Sequence, residues 1–272
     1  MLMLRTDFKP MAWAVGLLAA FLALWRLGAA ELEVSRHDLR PATHSPAVRV
    51  VQLSDLHLQR FAAAEQAIVA RVLSLKPDLV VLSGDAIDRA EALPHLRSFV
   101  QALAGVSVVA VPGNWEHWSG IDFSAMDQIF ADRPGSAFLL NQRLTLTVRG
   151  RMVHVLGLDD FTAGQPDAQR LSVQMPGDLN ILVQHSPGFF DLPEVARRMG
   201  SSPPLSLCLS GHTHGGQIAL AGWAPFRPVG SGRFVAGFYD VPGCRLYVSR
   251  GVGTSVLPLR WGAAPEVAVF DL

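Results

Sequence analysis

The sequence predicts an α/β protein in which short buried strands alternate with amphipathic helices. Three observations support this fold class. Short apolar runs rich in branched residues or leucine recur along the chain and have the length of buried strands. Stretches between the early runs carry apolar residues at helical spacing. Each apolar run ends close to a side chain of a type that binds metal ions.

The strands and helices follow from these runs in chain order. The predicted strands are 48–53, 79–82, 106–111, 179–183 and 205–209. A helical pattern within 68–75 separates the first two strands, and another within 93–103 separates the second from the third. Strand, helix and strand in this order predict a sheet whose strand ends bring distant residues together at one edge.

That edge gathers five motifs that carry the chemistry. They are Asp55-Leu56-His57, Gly84-Asp85-Ala86-Ile87-Asp88, Gly113-Asn114, His185 and Gly211-His212-Thr213-His214. One such motif alone would be interpreted as a turn or a helix cap, but five at successive strand ends indicate a site. Two cations about 3.5–4 Å apart can hold a phosphoryl group and activate water, and we expect Asp85 to bridge them. Mixed imidazole and carboxylate ligands favour manganese, iron, zinc or cobalt over calcium and do not distinguish among these four; manganese is the metal that we expect.

The ordered set of motifs resembles the calcineurin-like metallophosphoesterases over residues 48–272. The segments 209–217 and 247–253 also resemble the membrane-anchored bacterial branch of that family. The resemblance implies a four-layer α/β/β/α sandwich of two mixed sheets with helices outside. It implies that one divalent cation is held by Asp55, His57, Asp85 and His214, and the other by Asp85, Asn114, His185 and His212.

One position departs from the family pattern. Members follow the metal-binding Asn with His and then Asp or Glu, whereas Asn114 is followed by Trp115, Glu116 and His117. In the family that histidine protonates the departing oxygen and pairs with the residue that corresponds to Asp88. Indole cannot replace it as a proton donor. Either His117 takes the role, or the reaction does not need the donor; we favour the second, which implies anhydrides or activated diesters as substrates.

Composition and charge limit the alternatives. The 272 residues include 23 basic and 23 acidic side chains, so the formal charge of zero gives no electrostatic basis for a nucleic-acid partner. We expect one catalytic domain over 48–272. Cys208 is expected in the core and Cys244 beside a turn, and no disulfide framework is expected from two cysteines.

Residues 1–30 are predicted to be a membrane anchor or a signal segment. The apolar run 11–25 is short for a spanning helix, and Arg26 ends it. Arg5 and Lys9 before the run also fit a cleavable signal, but Arg26 fits a retained anchor better. The flanking charges favour a cytoplasmic catalytic domain on a bacterial inner membrane. Residues 31–47 are expected to be a linker containing an edge strand around 32–34.

The stretch 221–233 is predicted to be a long functional loop or, alternatively, a lobe packed on its own aromatic residues. Its Arg227 and Arg233 are candidate phosphate contacts. The expected function is hydrolysis of phosphoesters or phosphoanhydrides at a membrane. The interpretations are a lipid pyrophosphatase of the type that cleaves UDP-2,3-diacylglucosamine, a general phosphodiesterase or phosphatase on small or lipid substrates, and a metal-binding scaffold without turnover. The complete ligand set argues against the scaffold, and the oligomeric state is left open.

Overall fold

A computed structural model describes residues 31–40, 47–172, 177–219, 223–225, 227–256 and 259–272. The hydrophobic helix and anchor expected within 1–30 lie outside these residues. Among the described residues, no helix combines the length and apolarity needed to cross a membrane.

Within the described ranges the strands form two six-stranded mixed sheets. In spatial order the first sheet contains β1 (Glu33–Asp38), β12 (Glu266–Asp271), β2 (Arg49–Leu53), β3 (Leu79–Leu82), β4 (Ser107–Ala110) and β5 (Ala137–Phe138). The second contains β10 (Gly237–Val241), β11 (Cys244–Val248), β9 (Leu207–Ser210), β8 (Leu179–Val183), β7 (Arg151–Gly157) and β6 (Gln142–Val148). β2, β3 and β4 run parallel, as do β7, β8 and β9, so their carboxyl ends lie at common edges.

Helices cover the outer faces of both sheets. They are α1 (Ala63–Ser74), α2 (Leu93–Ala102), α3 (Asn114–Trp118), α4 (Phe123–Ala131) and α5 (Pro193–Gly200), with short 3-10 helices at Ala90–Ala92, Ala168–Ser172, Pro187–Asp191 and His214–Gly216. One apolar cluster joins the first sheet to α1, α2 and α4, and another joins the second sheet to α5. A third lies between the sheets, which confirms the four-layer arrangement.

The central strands are apolar on both faces because each face meets a core. In β2, Val50 packs between the sheets and Val51 packs against the helices. Gln52 is the polar exception. Its side-chain amide is fully buried and donates 2.8 Å hydrogen bonds to Ser83 Oγ and to the carbonyl of Ser210, which belongs to the opposite sheet. The two sheets are therefore joined by a polar link just below the site.

The edge strand expected within the linker 31–47 is present as β1, which pairs in parallel with β12 at one edge of the first sheet, so this sheet already begins at Glu33. The expectation of no disulfide framework is wrong, because Cys208 and Cys244 form a disulfide. Their strands β9 and β11 are neighbours in the second sheet, and the two Cα atoms lie 6.1 Å apart, within bonding range.

Candidate metal centre

Both sheets deliver side chains to one edge of the sandwich. The loops after β2, β3 and β4 in the first sheet carry Asp55, His57, Asp85 and Asn114. The loops after β8 and β9 in the second sheet carry His185, His212 and His214. All seven side chains are buried. The structure therefore brings together every residue that the family resemblance nominated as a ligand.

Five of these seven residues have a left-handed backbone. The φ angles are 52° at Asp55, 46° at His57, 52° at Asp85, 70° at His212 and 51° at His214. Non-glycine residues adopt positive φ in only a few per cent of cases, because the Cβ atom crowds the backbone. Ten described non-glycine residues have positive φ, so half of them lie in this one site. Strain of this kind concentrates where function demands a fixed side-chain direction.

The first cluster contains Asp55, His57 and His214, whose potential ligand atoms all lie within 4.8 Å of one another. Nε2 of His214 lies 3.3 Å from Asp55 Oδ1 and 3.3 Å from Nε2 of His57. The two imidazole rings are stacked with their centroids 5.2 Å apart. Three donor atoms thus converge on one point between the sheets.

The second cluster contains Asp85, His185 and His212, again within 4.8 Å of one another. Nε2 of His185 lies 3.1 Å from Asp85 Oδ2. Asn114 joins this cluster, because its Oδ1 lies 2.8 Å from Nδ1 of His212. The potential ligand atoms of this cluster therefore lie close enough together to share one cation.

Asp85 lies between the clusters. The same oxygen that is 3.1 Å from Nε2 of His185 is 3.9 Å from Nε2 of His57 in the first cluster. The other oxygen accepts a 2.9 Å hydrogen bond from the backbone N–H of Trp115, which fixes the orientation of the carboxylate. This placement is the one that a bridging ligand requires.

Hydrogen bonds to carbonyl groups determine which ring nitrogen carries the proton in each histidine of the second cluster. Nδ1–H of His185 donates to the carbonyl of Ser83 at 2.7 Å, which leaves Nε2 free. Nε2–H of His212 donates to the carbonyl of Val229 at 2.8 Å, so Nδ1 is the nitrogen with the lone pair. Nδ1 then lies beside an amide oxygen, a close pair of acceptors that a cation satisfies. The residues present fit a divalent cation.

The electrostatics of the clusters also suit cations. Burial opposes the charged form of each group, yet the histidines hold the pKa of Asp55 and Asp85 below the usual carboxylate range. Burial, with smaller effects of His57 and Arg260, lowers the pKa of His214 to about 4. Ionised carboxylates and neutral imidazoles are the forms that bind metals. His185 differs: despite its burial, Asp85 and then Asp55 raise its pKa well above the usual value, so a cation that bound there would have to displace a proton.

Glu116 is a structural component of the site that was not predicted from the sequence. It is fully buried, and its carboxylate accepts hydrogen bonds from the backbone N–H groups of Asp85, Ala86, Ile87 and Gly113. Burial and then the charge of Asp85 raise its pKa to about 7. Its place three residues after Gly113, at the third position of a helix, is the signal of a capping box and would have identified it.

His117 does not pair with Asp88. Its Nε2 donates to Asp159 Oδ1 at 2.6 Å, whereas Asp88 lies beside Arg89 at 3.3 Å. The hydrogen bond to Asp159 raises the pKa of His117. Asp159 was not predicted as a site residue, although it is a carboxylate that follows an apolar strand, as the ligands do.

Trp115 follows Asn114 directly, at the position where this sequence departs from the family pattern. Its indole meets the ring of His57 edge-on, with centroids 5.9 Å apart, and also contacts Trp118. An aromatic wall therefore borders the first cluster. The catalytic roles of Asp88 and His117 stay predictions.

The two candidate phosphate contacts have different surroundings. The described residues between 223 and 236 form neither a helix nor one of the twelve strands, as expected for a long loop. Arg233 is paired with Asp191 at 3.0 Å and lies over the Phe234 ring. Arg227 donates to the carbonyl of Gly232 at 3.1 Å and lines a cavity that also includes His214. Arg227 thus lines the same cavity as His214, and the substrate-binding roles of both arginines stay predictions.

Comparison with known proteins identifies the family of this chain. The family model described as calcineurin-like phosphoesterase matches residues 48–216, which include all seven candidate ligands. The chain belongs to this family. Escherichia coli (strain K12) phosphodiesterase YaeI is 31% identical over 252 residues, or 88% of each chain. The Bacillus subtilis (strain 168) protein named uncharacterized metallophosphoesterase YkuE is 31% identical over 233 residues, or 82% of this chain and 78% of that one.

A solved structure supports the fold of this calcineurin-like phosphoesterase. The Thermus thermophilus protein TT1561 superimposes with a TM-score of 0.51 at 14% sequence identity, covering 75% of this chain and 90% of that one. At this identity the likeness concerns the fold alone. The family match ends at residue 216, so β10, β11 and β12 and the loop that carries Arg227 lie beyond it.

Proposed function

We propose that this chain is a metal-dependent phosphohydrolase that cleaves phosphodiester or phosphoanhydride bonds. The observation that carries the proposal is the pair of buried clusters with one carboxylate oxygen of Asp85 between them. The donor set contains only imidazole nitrogens and carboxylate or amide oxygens, which suits manganese, with iron, zinc and cobalt as alternatives. The seven ligands would hold two cations, as the family resemblance implies.

When bound, a pair of cations neutralises phosphate charge and supplies an activated water for in-line attack. The protein residues contribute position and environment. Glu116 anchors the loops that carry Asp85 and Asn114, because it accepts N–H groups from both. The indole of Trp115 excludes water beside His57 and strengthens electrostatic interactions there.

The departing group decides whether a proton donor is needed. Trp115 occupies the position of the family's donor, and His117 is committed to Asp159 by a 2.6 Å hydrogen bond. We therefore favour substrates whose leaving group is a weak base, such as a phosphate released from an anhydride or an activated diester. The second possibility is that His117, positioned by Asp159, donates the proton.

The proposed substrates are phosphorylated small molecules or lipids at a membrane. A lipid pyrophosphatase of the UDP-2,3-diacylglucosamine type is the first candidate, with contact to the bilayer through residues 11–30. A general phosphodiesterase is the second, and it is supported by the name of the relative YaeI. We expect no nucleic-acid substrate, because the formal charge is zero.

Two observations indicate on which side of the membrane the catalytic domain lies, and they disagree. The flanking charges favoured the cytoplasm by a small excess, whereas the Cys208–Cys244 disulfide belongs in an oxidising compartment. Disulfides are rare in reducing cytosol, so we give this observation more weight and propose that the domain faces away from the cytoplasm.

Hydrolysis of bis(p-nitrophenyl) phosphate by the purified full chain, with and without manganese, tests the proposal. Asp85→Asn should remove activity and lower the content of both cations in elemental analysis, because Asp85 would be a ligand of both. Asp132→Asn, at an exposed site, is the matched control and should leave both unchanged. Two cations per Asp85→Asn chain with normal turnover would refute the bridging role. Cation binding without turnover by the wild-type chain would identify a scaffold.

A further inference from the structure

A cavity of about 490 Å³ adjoins the metal centre. Thr213 and the metal-centre residue His214 form part of its wall, so the cavity and the first cluster share a side chain. Its volume lies within the range of pockets that hold small molecules. A group bound in the cavity would contact His214 and would therefore lie near a phosphate held at the metal centre.

Most of the surface that lines this cavity is apolar. Ile218, Pro225, Pro228 and Val256 contribute to it, and the polar side chains of Thr213, Gln217 and Ser255 also line the cavity. The lining residue Val256 is 88% exposed, and Val229, which follows the lining residue Pro228 and whose carbonyl accepts from the ring of His212, is 86% exposed. Exposed apolar side chains beside a site favour an apolar ligand.

Arg227 gives the cavity one cationic group. A guanidinium carries five donors, and the contact seen for Arg227 among the described residues is one donor to the carbonyl of Gly232. An anionic group near the polar end of a ligand is therefore the complement of this side chain.

We propose that the cavity binds the apolar chain of an amphiphilic phosphoester whose phosphate lies at the metal centre, with Arg227 at the polar end. This inference rests on the proposed function and specifies its substrate class. The backbone supports it, because Val256 and Gln217, which both line the cavity, have φ angles of 60° and 52°. A β-branched residue at positive φ is an outlier, and such outliers concentrate at functional sites.

The test uses the full manganese-loaded chain and p-nitrophenyl alkyl phosphodiesters, with the alkyl group lengthened from methyl to octyl. We expect kcat/KM to rise by up to about fourfold per methylene group until the cavity is filled. A second measurement does not require turnover: calorimetric binding of alkylphosphonates of the same lengths should show the same dependence. A flat dependence in both measurements overturns the inference.

Two variants assign the effect to this cavity. Val256→Asn should flatten the dependence on chain length without harming the fold, because Val256 is exposed and asparagine tolerates positive φ better than valine. Ile218→Asn is the second variant. Leu73→Gln, an exposed apolar position on α1, is the control and should retain the wild-type slope. A wild-type slope in both cavity variants would overturn the assignment.

The outcomes separate this inference from the proposed function. Hydrolysis of bis(p-nitrophenyl) phosphate with no chain-length dependence would refute the apolar site and leave the hydrolase standing. Absence of all hydrolysis together with chain-length-dependent phosphonate binding would refute the hydrolase and support the apolar site.

Discussion

Glu116 is the residue whose replacement should show most clearly how the metal centre depends on its surroundings. Its Oε1 accepts from the N–H groups of Ala86 at 2.7 Å and Ile87 at 3.1 Å. Its Oε2 accepts from Gly113 at 2.8 Å and Asp85 at 3.1 Å. The carboxylate therefore joins the loop after β3 to the loop after β4, and both loops are buried where they contact it.

The loss of stability expected for Glu116→Gln follows from the number of these hydrogen bonds. The amide retains one acceptor oxygen, so two of the four N–H groups lose their partner and face an NH₂ group. Each buried donor without an acceptor costs about 1–3 kcal/mol, which gives a loss of about 2–6 kcal/mol in the free energy of unfolding. Since small domains are stable by only about 5–15 kcal/mol, the variant should fold but be clearly weakened.

Urea denaturation followed by circular dichroism, in EDTA, measures this loss without the contribution of bound cations. Glu65→Gln is the matched control, because Glu65 also lies at the third position of a helix but accepts only one N–H, from Ala62 at 2.9 Å. Its amide oxygen can keep that bond, so the expected change is below about 1 kcal/mol. If the two variants agree within about 0.5 kcal/mol, the reasoning is wrong. Elemental analysis should also show less bound manganese in Glu116→Gln.

Three further predictions concern the rest of the chain. Although burial opposes it, the hydrogen bond from His117 lowers the pKa of Asp159, so the stabilisation by this carboxylate is lost as the pH falls through the lowered pKa. The pKa of His117 is raised, so the stabilisation by the charged imidazole is lost as the pH rises through the raised pKa. Asp159→Asn should therefore lower the urea midpoint more near about pH 6 than near about pH 9, and an equal loss would contradict the ion pair. Thiol alkylation of the unfolded chain should label neither Cys208 nor Cys244 until reductant is added, and labelling without reductant would remove the argument for an oxidising compartment. Deleting residues 1–30 should leave a folded hydrolase of water-soluble diesters that is slower on membrane-embedded lipid, and equal rates on both substrates for both chains would count against a membrane substrate.

The sequence predicted the central strands because their signal is local. The strands 79–82 and 179–183 were predicted with their observed bounds, and the other three are shifted by one or two residues at one or both ends. Strands buried on both faces are apolar without interruption, so their composition identifies them. The candidate ligands were selected for a related reason, since each lies close to such a run.

Two of the missed features are pairings between distant residues. Asp159 follows His117 by 42 positions, and nothing near either residue in sequence indicates the other. Cys208 and Cys244 are 36 positions apart, and only the adjacency of β9 and β11 brings them within bonding distance. Contacts of this kind depend on strand order, which periodicity does not encode.

The arrangement of ligands explains why the strained backbone persists. Each cluster takes side chains from both sheets, so cations bound there would hold the two halves of the sandwich together. The protein already contributes to this link, because both carboxylate oxygens of Asp55 lie 3.1 Å from the backbone N–H of His212. Hydrogen bonds from the opposite sheet thus offset the cost of the left-handed conformations before any cation binds. The contacts that join the two sheets are the same contacts that hold the candidate ligands in their strained backbone conformations. A substitution that weakens the packing of the sheets should therefore also lower the affinity for cations, and the reverse.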